Sequence, residues 1–150
     1  MATTAETAVP PVQNVTPHVK PHEMSFPLPK APHTTAHVHL TLKGTCTMVF
    51  LATSTLGESA GSVKPMGSFI YAMPDRTNPR NTLSTTLYTS ANVEYTTRVA
   101  KILARRMQVP VYVGCSIDPV ALELMVEEEM EGLTQIVDVI MKRWEEERGK

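Results

Sequence analysis

"HVHLTLKGTCTMVFLAT", residues 37–53, is the stretch that decides the fold. From His37 to Lys43 polar and apolar side chains alternate with period two, the spacing of a strand with one wet face. Gly44-Thr45 permits a short turn, and Cys46 to Thr53 continues as a second strand, so the whole reads as a hairpin. The second arm breaks the alternation. Met48-Val49-Phe50-Leu51-Ala52 is apolar on both faces, whereas an antiparallel sheet with one solvated face alternates.

Working toward the C-terminus, "GSFIYAM" (67–73) is a third strand with the same two-faced apolar character. A loop rich in Pro and Asn follows, then "TLSTTLYT" (82–89), a fourth strand of β-branched threonines. At 90–109 the period changes: Tyr95, Val99, Ile102, Leu103 and Met107 recur at helical spacing. Ser90 is placed to cap this helix and Pro110 to end it. "VYVGCSI" (111–117) is a fifth strand and "ALELMV" (121–126) reads as a sixth. A last helix begins near Glu127, with acids at its N-terminal end and Lys142 and Arg143 near its C-terminal end, as the helix dipole favours.

The expectation is an α+β domain: a six-stranded, mainly antiparallel sheet, order β-β-β-β-α-β-β-α, with two helices on one face. It spans residues 37–150. Residues 1–36 hold seven of the twelve prolines and little apolar surface, so they read as a mostly disordered tail. Met24-Ser25-Phe26-Pro27-Leu28 is the one piece of it suited to pin an arm against the domain.

The net charge is −1, which gives no general pull toward nucleic acid or anionic membrane. No apolar run is long enough to span a bilayer. MATTAETAVPPVQNV lacks the charged start and apolar centre of a secretory signal, so a cytosolic or nuclear protein is expected. Cys46 and Cys115 then read as reduced thiols in apolar strands.

One motif suggests an enzyme. "GESAG" (57–61) fits the G-x-S-x-G nucleophile elbow, with Ser59 as nucleophile. The elbow needs a helix after the serine, but Pro65 and Gly67 interrupt any helix there, and all five histidines precede Ser59 where that fold places its base after it. A flexible loop is the better account. His37 and His39 share a strand face as a possible metal pair, but no third ligand aligns with them. No phosphate-binding or dinucleotide motif occurs. The reading is a non-enzyme without cofactor or metal.

The stronger signal is surplus apolar strand surface. Two helices cover one sheet face, and nothing else in so small a chain covers the other. A partner chain is therefore expected on the strand positions Met48, Val49, Phe50, Leu51, Phe69, Ile70, Tyr71 and Tyr112. The contact falls either around Val49, Leu51, Ile70 and Tyr112 or on their alternates Met48, Phe50 and Phe69. A one-residue register change exchanges the two faces. A second surface is the stripe Arg98, Lys101, Arg105 on the first helix, which would steer an acidic protein partner.

This ordered pattern resembles the proteasome assembly chaperone 4 family. The resemblance is carried by "HVHLTL" with the apolar "MVFLA" strand, by "LSTTLY" leading into "TTRVAKILARRMQVPVYVGCSI", and by "LELMVEEEMEGL". It implies an antiparallel sheet with two helices and a heterodimer with the related chaperone 3. It also implies binding to α-subunits of the 20S proteasome, notably α5, during α-ring assembly. The stripe Arg98, Lys101, Arg105 would then meet the proteasome subunit. The long N-terminal tail, the 54–66 loop and the acidic last helix depart from smaller relatives. A competing expectation from another class is a trafficking or signalling adaptor of longin or roadblock type, and self-pairing is an alternative to the heterodimer.

Overall fold

A computed structural model describes residues 19–58 and 63–149. Six strands come in the order β1 (His22–Leu28), β2 (Ala31–Leu42), β3 (Thr47–Thr55), β4 (Ser68–Pro74), β5 (Thr82–Tyr88) and, after helix α1 (Val93–Met107), β6 (Val111–Cys115). Helix α2 (Val126–Arg148) closes the chain. In space the strands run β1-β2-β3-β6-β4-β5. All neighbours are antiparallel except β3 and β6. The α+β class, the six strands and the two helices agree with the sequence reading, while the element order is β-β-β-β-β-α-β-α.

Two differences account for the changed order. The first strand comes from the proline-rich segment, so the ordered part begins well before His37. Met24, Phe26 and Leu28 alternate inward there, against the core. Pro27 is tolerated because β1 is an edge strand, where a missing N–H can face solvent at little cost. β2 likewise starts at Ala31, not His37. The rest of the expected tail, residues 1–18, lies outside the described residues. Conversely, 121–126 is not a strand. Asp118 and Pro119 open a coiled turn in which Leu122 N–H donates to Asp118 C=O (3.1 Å) and Leu124 N–H to Pro119 C=O (3.0 Å). Glu123 takes a left-handed φ of 55°. An apolar run this short carries no periodicity that separates strand from turn.

The core forms where α1 and α2 pack on one sheet face. Val38, Leu40, Val49, Leu51, Ile70, Ala72, Val111, Val113 and Cys115 meet Tyr95, Val99, Leu103, Leu133, Ile136 and Ile140 there. Both cysteines are free thiols, Cys115 in the core and Cys46 half-buried. Burial pushes the Cys115 thiol up to about 11.

A buried polar clasp fixes where α1 begins. The helix starts at Val93, and Ser90 does not cap it. Asn92 stands at its N-cap but turns its amide inward. Its Nδ2 donates to the carbonyls of Cys115 (2.8 Å) and Ile117 (2.7 Å), and its Oδ1 accepts from Ser68 Oγ (2.7 Å). The ends of β4, α1 and β6 are thereby joined at one point. Gly67 makes this approach possible: its φ is +75°, and a Cβ there would lie 1.9 Å from the Cys115 carbonyl oxygen.

Candidate functional site

Alternation along the strands settles which residues lie on which face. Val49, Leu51 and Ile70, offered by the sequence as partner contacts, lie beneath the helices and are 0–3 % exposed. They are core, and no partner reaches them. Met48, Phe50, Phe69, Tyr71 and Tyr112 point the other way and are half-buried. Tyr112 therefore belongs with Phe50 and Phe69, not with Val49 and Leu51. The cross-strand register fixes this: Met48 is opposite Tyr112 and Tyr71 is opposite Tyr112.

The open face carries a continuous aromatic band. Phe50 and Phe69 stack with ring centres 6.2 Å apart and planes within 10°. Phe69 lies 6.1 Å from Tyr112, which lies 4.8 Å from Tyr71. His39 meets the other edge of Phe50 at 6.3 Å in a T-shaped contact. Phe50 and Phe69 come from β3 and β4, strands separated by β6. They can touch because the residue between them on β6 is Gly114, which pairs with both. A Cβ at Gly114 would sit 2.7 Å from the Phe50 ring. The Phe50 ring and Met66 close over the missing side chain, a place where a strand glycine lets other groups approach.

Polar residues bound this band toward β1. His37 accepts or donates at both ring nitrogens, 2.8 Å from Ser25 Oγ and 2.6 Å from Ser54 Oγ. His39 has its Nδ1 buried without a hydrogen-bond partner. The two histidines do share a face as the sequence suggested, but His37 is held between serines. Among the described residues no group of three His, Cys, Asp or Glu side chains gathers as a metal site. A band of rings with a polar border, covered by no element among the described residues, is suited to association with a protein surface.

The basic stripe divides. Arg98 turns toward α2 and pairs with Glu129 at 3.5 Å. Arg106, outside the predicted stripe, pairs with Asp138 of α2 at 3.6 Å. These two arginines tie helix to helix. Lys101 and Arg105 remain exposed, with no ion-pair partner among the described residues. The interhelical pairing was hidden in the sequence because it needs the mutual placement of α1 and α2.

Of the GESAG motif, Gly57 and Glu58 are described and Ser59 to Gly61 are not. The Glu58 carboxylate accepts from the Thr55 amide (3.3 Å) and hydroxyl (3.1 Å) and is paired with Lys64. The hydrogen bond from Lys64 holds that carboxyl below its ordinary range. Glu58 thus ties together the two ends of the loop. No described helix is long and apolar enough to cross a membrane.

Three comparisons bear on this arrangement. Residues 35–117, more than half of the chain, match the family described as proteasome assembly chaperone 4. A search of solved structures finds similarity to a chain from the crystal structure of a chaperone complex for yeast 20S proteasome assembly. That match has a TM-score of 0.61 and 19% identity, and covers 83% of this chain and 96% of the other. At that identity the likeness speaks for the fold. No curated protein sequence matches.

Proposed function

Because this chain belongs to the proteasome assembly chaperone 4 family, we propose that it is a non-enzymatic chaperone of 20S proteasome assembly that works as one half of a heterodimer. The partner is the related chaperone 3, and the client is an α-subunit of the 20S particle, α5 in the first instance. The observation that carries this reading is the uncovered aromatic band Phe50–Phe69–Tyr112–Tyr71. Aromatic side chains dominate the energetics of protein interfaces, and a band of this kind is poorly suited to water.

The yeast structure similar in fold is itself a chaperone complex for 20S proteasome assembly, which supports the same role here. In this reading Met48, Phe50, Phe69, Tyr71 and Tyr112 face the partner chaperone. Lys101 and Arg105 remain for an acidic patch on the α-subunit, where they act chiefly on encounter rate and orientation. Function is binding alone: the dimer holds an α-subunit so that correct ring neighbours dock, and it acts in the cytosol or nucleus.

Co-expression with the cognate chaperone 3 and native mass measurement test this. The expected species is a one-to-one complex that captures the α5 subunit and is lost in Phe69→Lys. A chain that stays monomeric beside that partner and retains no α-subunit would overturn the reading.

A further inference from the structure

Charge is not spread evenly along α1. Glu94, Arg98, Lys101 and Arg105 recur at the three- and four-residue steps that put them on one face of the helix. Toward the start of α1 that face is mixed: Glu94 is acidic, and Arg98 is paired with Glu129 of α2. Toward the end Lys101 and Arg105 stand exposed, with no ion-pair partner among the described residues. Glu94 lies about 10 Å from Lys101 along the helix axis, roughly a screening length away, so it offsets their charge little.

A second element adds to the exposed end. The chain leaves α1 through Gln108, whose backbone is left-handed (φ 56°), a conformation that glycine adopts far more readily. The glutamine side chain has a use there. Its Nε2 donates to the Arg105 carbonyl (2.6 Å) and, at a longer 3.4 Å, to the Pro79 carbonyl in the loop between β4 and β5. One amide thus ties the end of α1 to that loop and roots Arg80 next to Arg105. The loop also holds its own shape. The Asp75 carboxylate accepts from the Thr77 amide (2.9 Å) and hydroxyl (2.7 Å), and Asn78 Oδ1 accepts from the Arg80 amide (3.1 Å). Asp75 is the loop's acid, and the adjacent Arg76 offsets it. Arg80 is exposed and, like Lys101 and Arg105, has no ion-pair partner among the described residues.

We propose that Lys101, Arg105 and Arg80 form one surface, held in shape by Gln108, that takes an extended acidic segment of the α-subunit client. Lys101 and Arg105 are about 6 Å apart along the helix axis. Alternate side chains of an extended strand are separated by about 6.6 Å, so acids at every second position would meet successive cations. Nucleic acid is a poorer fit, since no aromatic residue in the loop or on this face of α1 offers a base a ring to stack on. α1 packs on the helix side of the sheet, away from the aromatic band. Partner chaperone and client can therefore be held at once. The contact deepens the function proposed above and rests on it for the identity of the client.

A fluorescein-labelled peptide of alternating Asp and Gly, titrated with the full chain and followed by anisotropy, tests the surface apart from the client. It should bind, and more weakly as salt is raised. Arg80→Gln, Lys101→Gln and Arg105→Gln should each lower the affinity about three- to tenfold. Arg143→Gln, on α2, should leave it unchanged. Gln108→Gly separates positioning from folding: it relieves the left-handed backbone, so the unfolding midpoint should hold or rise while peptide affinity falls about threefold. In the complex with chaperone 3, Arg80→Gln should weaken α-subunit capture by a similar factor and leave the chaperone pair intact, whereas Phe69→Lys breaks the pair. Wild-type peptide affinity in Arg80→Gln or in Gln108→Gly overturns the proposal. A polythymidine of equal charge that binds more tightly than the peptide overturns it too, by assigning the surface to nucleic acid. Peptide binding with the expected losses, beside a complex that captures no α-subunit, supports the surface and sinks only the function proposed above.

Discussion

The two faces of the sheet are built from the same strands and do opposite things. On the helix side Val49, Ile70, Val111 and Val113 are wholly buried by the chain's own helices. On the other side Phe50, Phe69, Tyr71 and Tyr112 are only half-buried, sheltered by one another. Neighbouring residues in one strand thus lie in the core and on the open face in turn. Burial by α1 and α2 makes the first set a stability determinant. The second set contributes little to the isolated chain beyond ring-to-ring contacts, and no described helix packs over it.

Substitutions can break or sharpen this contrast. The largest effect should come at the seam where the sheet meets the Asn92 clasp. Gly67→Ala forces a Cβ into the Cys115 carbonyl at a left-handed φ. Backbone cannot yield cheaply, so a loss of about 4 kcal/mol or more in denaturant unfolding is expected. Gly114→Ala makes the opposite point, since the nearest atoms to its added methyl are side chains, those of Phe50 and Met66. Those side chains can move, so it should cost the fold far less while displacing the Phe50–Phe69 stack.

Next in size is the face comparison itself. Ile70→Ala should destabilise the chain by about 3 kcal/mol, as for other fully buried aliphatic residues. Phe69→Lys, one residue away on the other face, should cost about 1 kcal/mol or less, the order of its ring contacts. Its effect should appear in partner affinity, which falls at least about tenfold by titration calorimetry. Equal losses of stability at both positions would erase the distinction between the faces.

The smallest effect is pH-dependent. Burial raises the Cys115 thiol to about 11 from an ordinary 9.0, so the folded chain holds this proton more tightly than the unfolded chain. The contribution is fully present below pH 9 and is lost as pH rises toward 11. Burial also pushes Tyr95 up, which adds a loss of the same sign at higher pH. Cys115→Ala should flatten the Cys115 part of the stability–pH curve between those values. In the native chain at neutral pH, Cys46 should react with a thiol reagent well before Cys115 does.

Much of the fold was legible because local patterns carried it. The hairpin through Gly44, the strands at Phe69–Met73 and Leu83–Tyr88, and both helices follow from period and composition. β1 was obscured because its prolines read as a tail, although Met24, Phe26 and Leu28 carried the inward alternation. Ala121–Val126 misled because six apolar-rich residues fit several conformations. The face of the partner band stayed open because Tyr112 is placed by the β6 register against β3 and β4, which no local pattern encodes. The basic stripe failed in part for the same reason: Arg98 finds Glu129 only through helix packing.

The placement of β6 has one more consequence. It is the last strand in the chain, yet it lies between β3 and β4, with two strands beyond β3 and one beyond β4. During synthesis the N-terminal three strands and the β4–β5 hairpin emerge first and have no bond to each other. Only when residues 111–115 leave the ribosome can the two halves be stitched together, a late step dominated by distant pairings. Phe50 and Phe69 become neighbours at that same moment, across Gly114. A truncated or half-made chain therefore lacks the continuous aromatic band, which exists only once the whole sheet has closed.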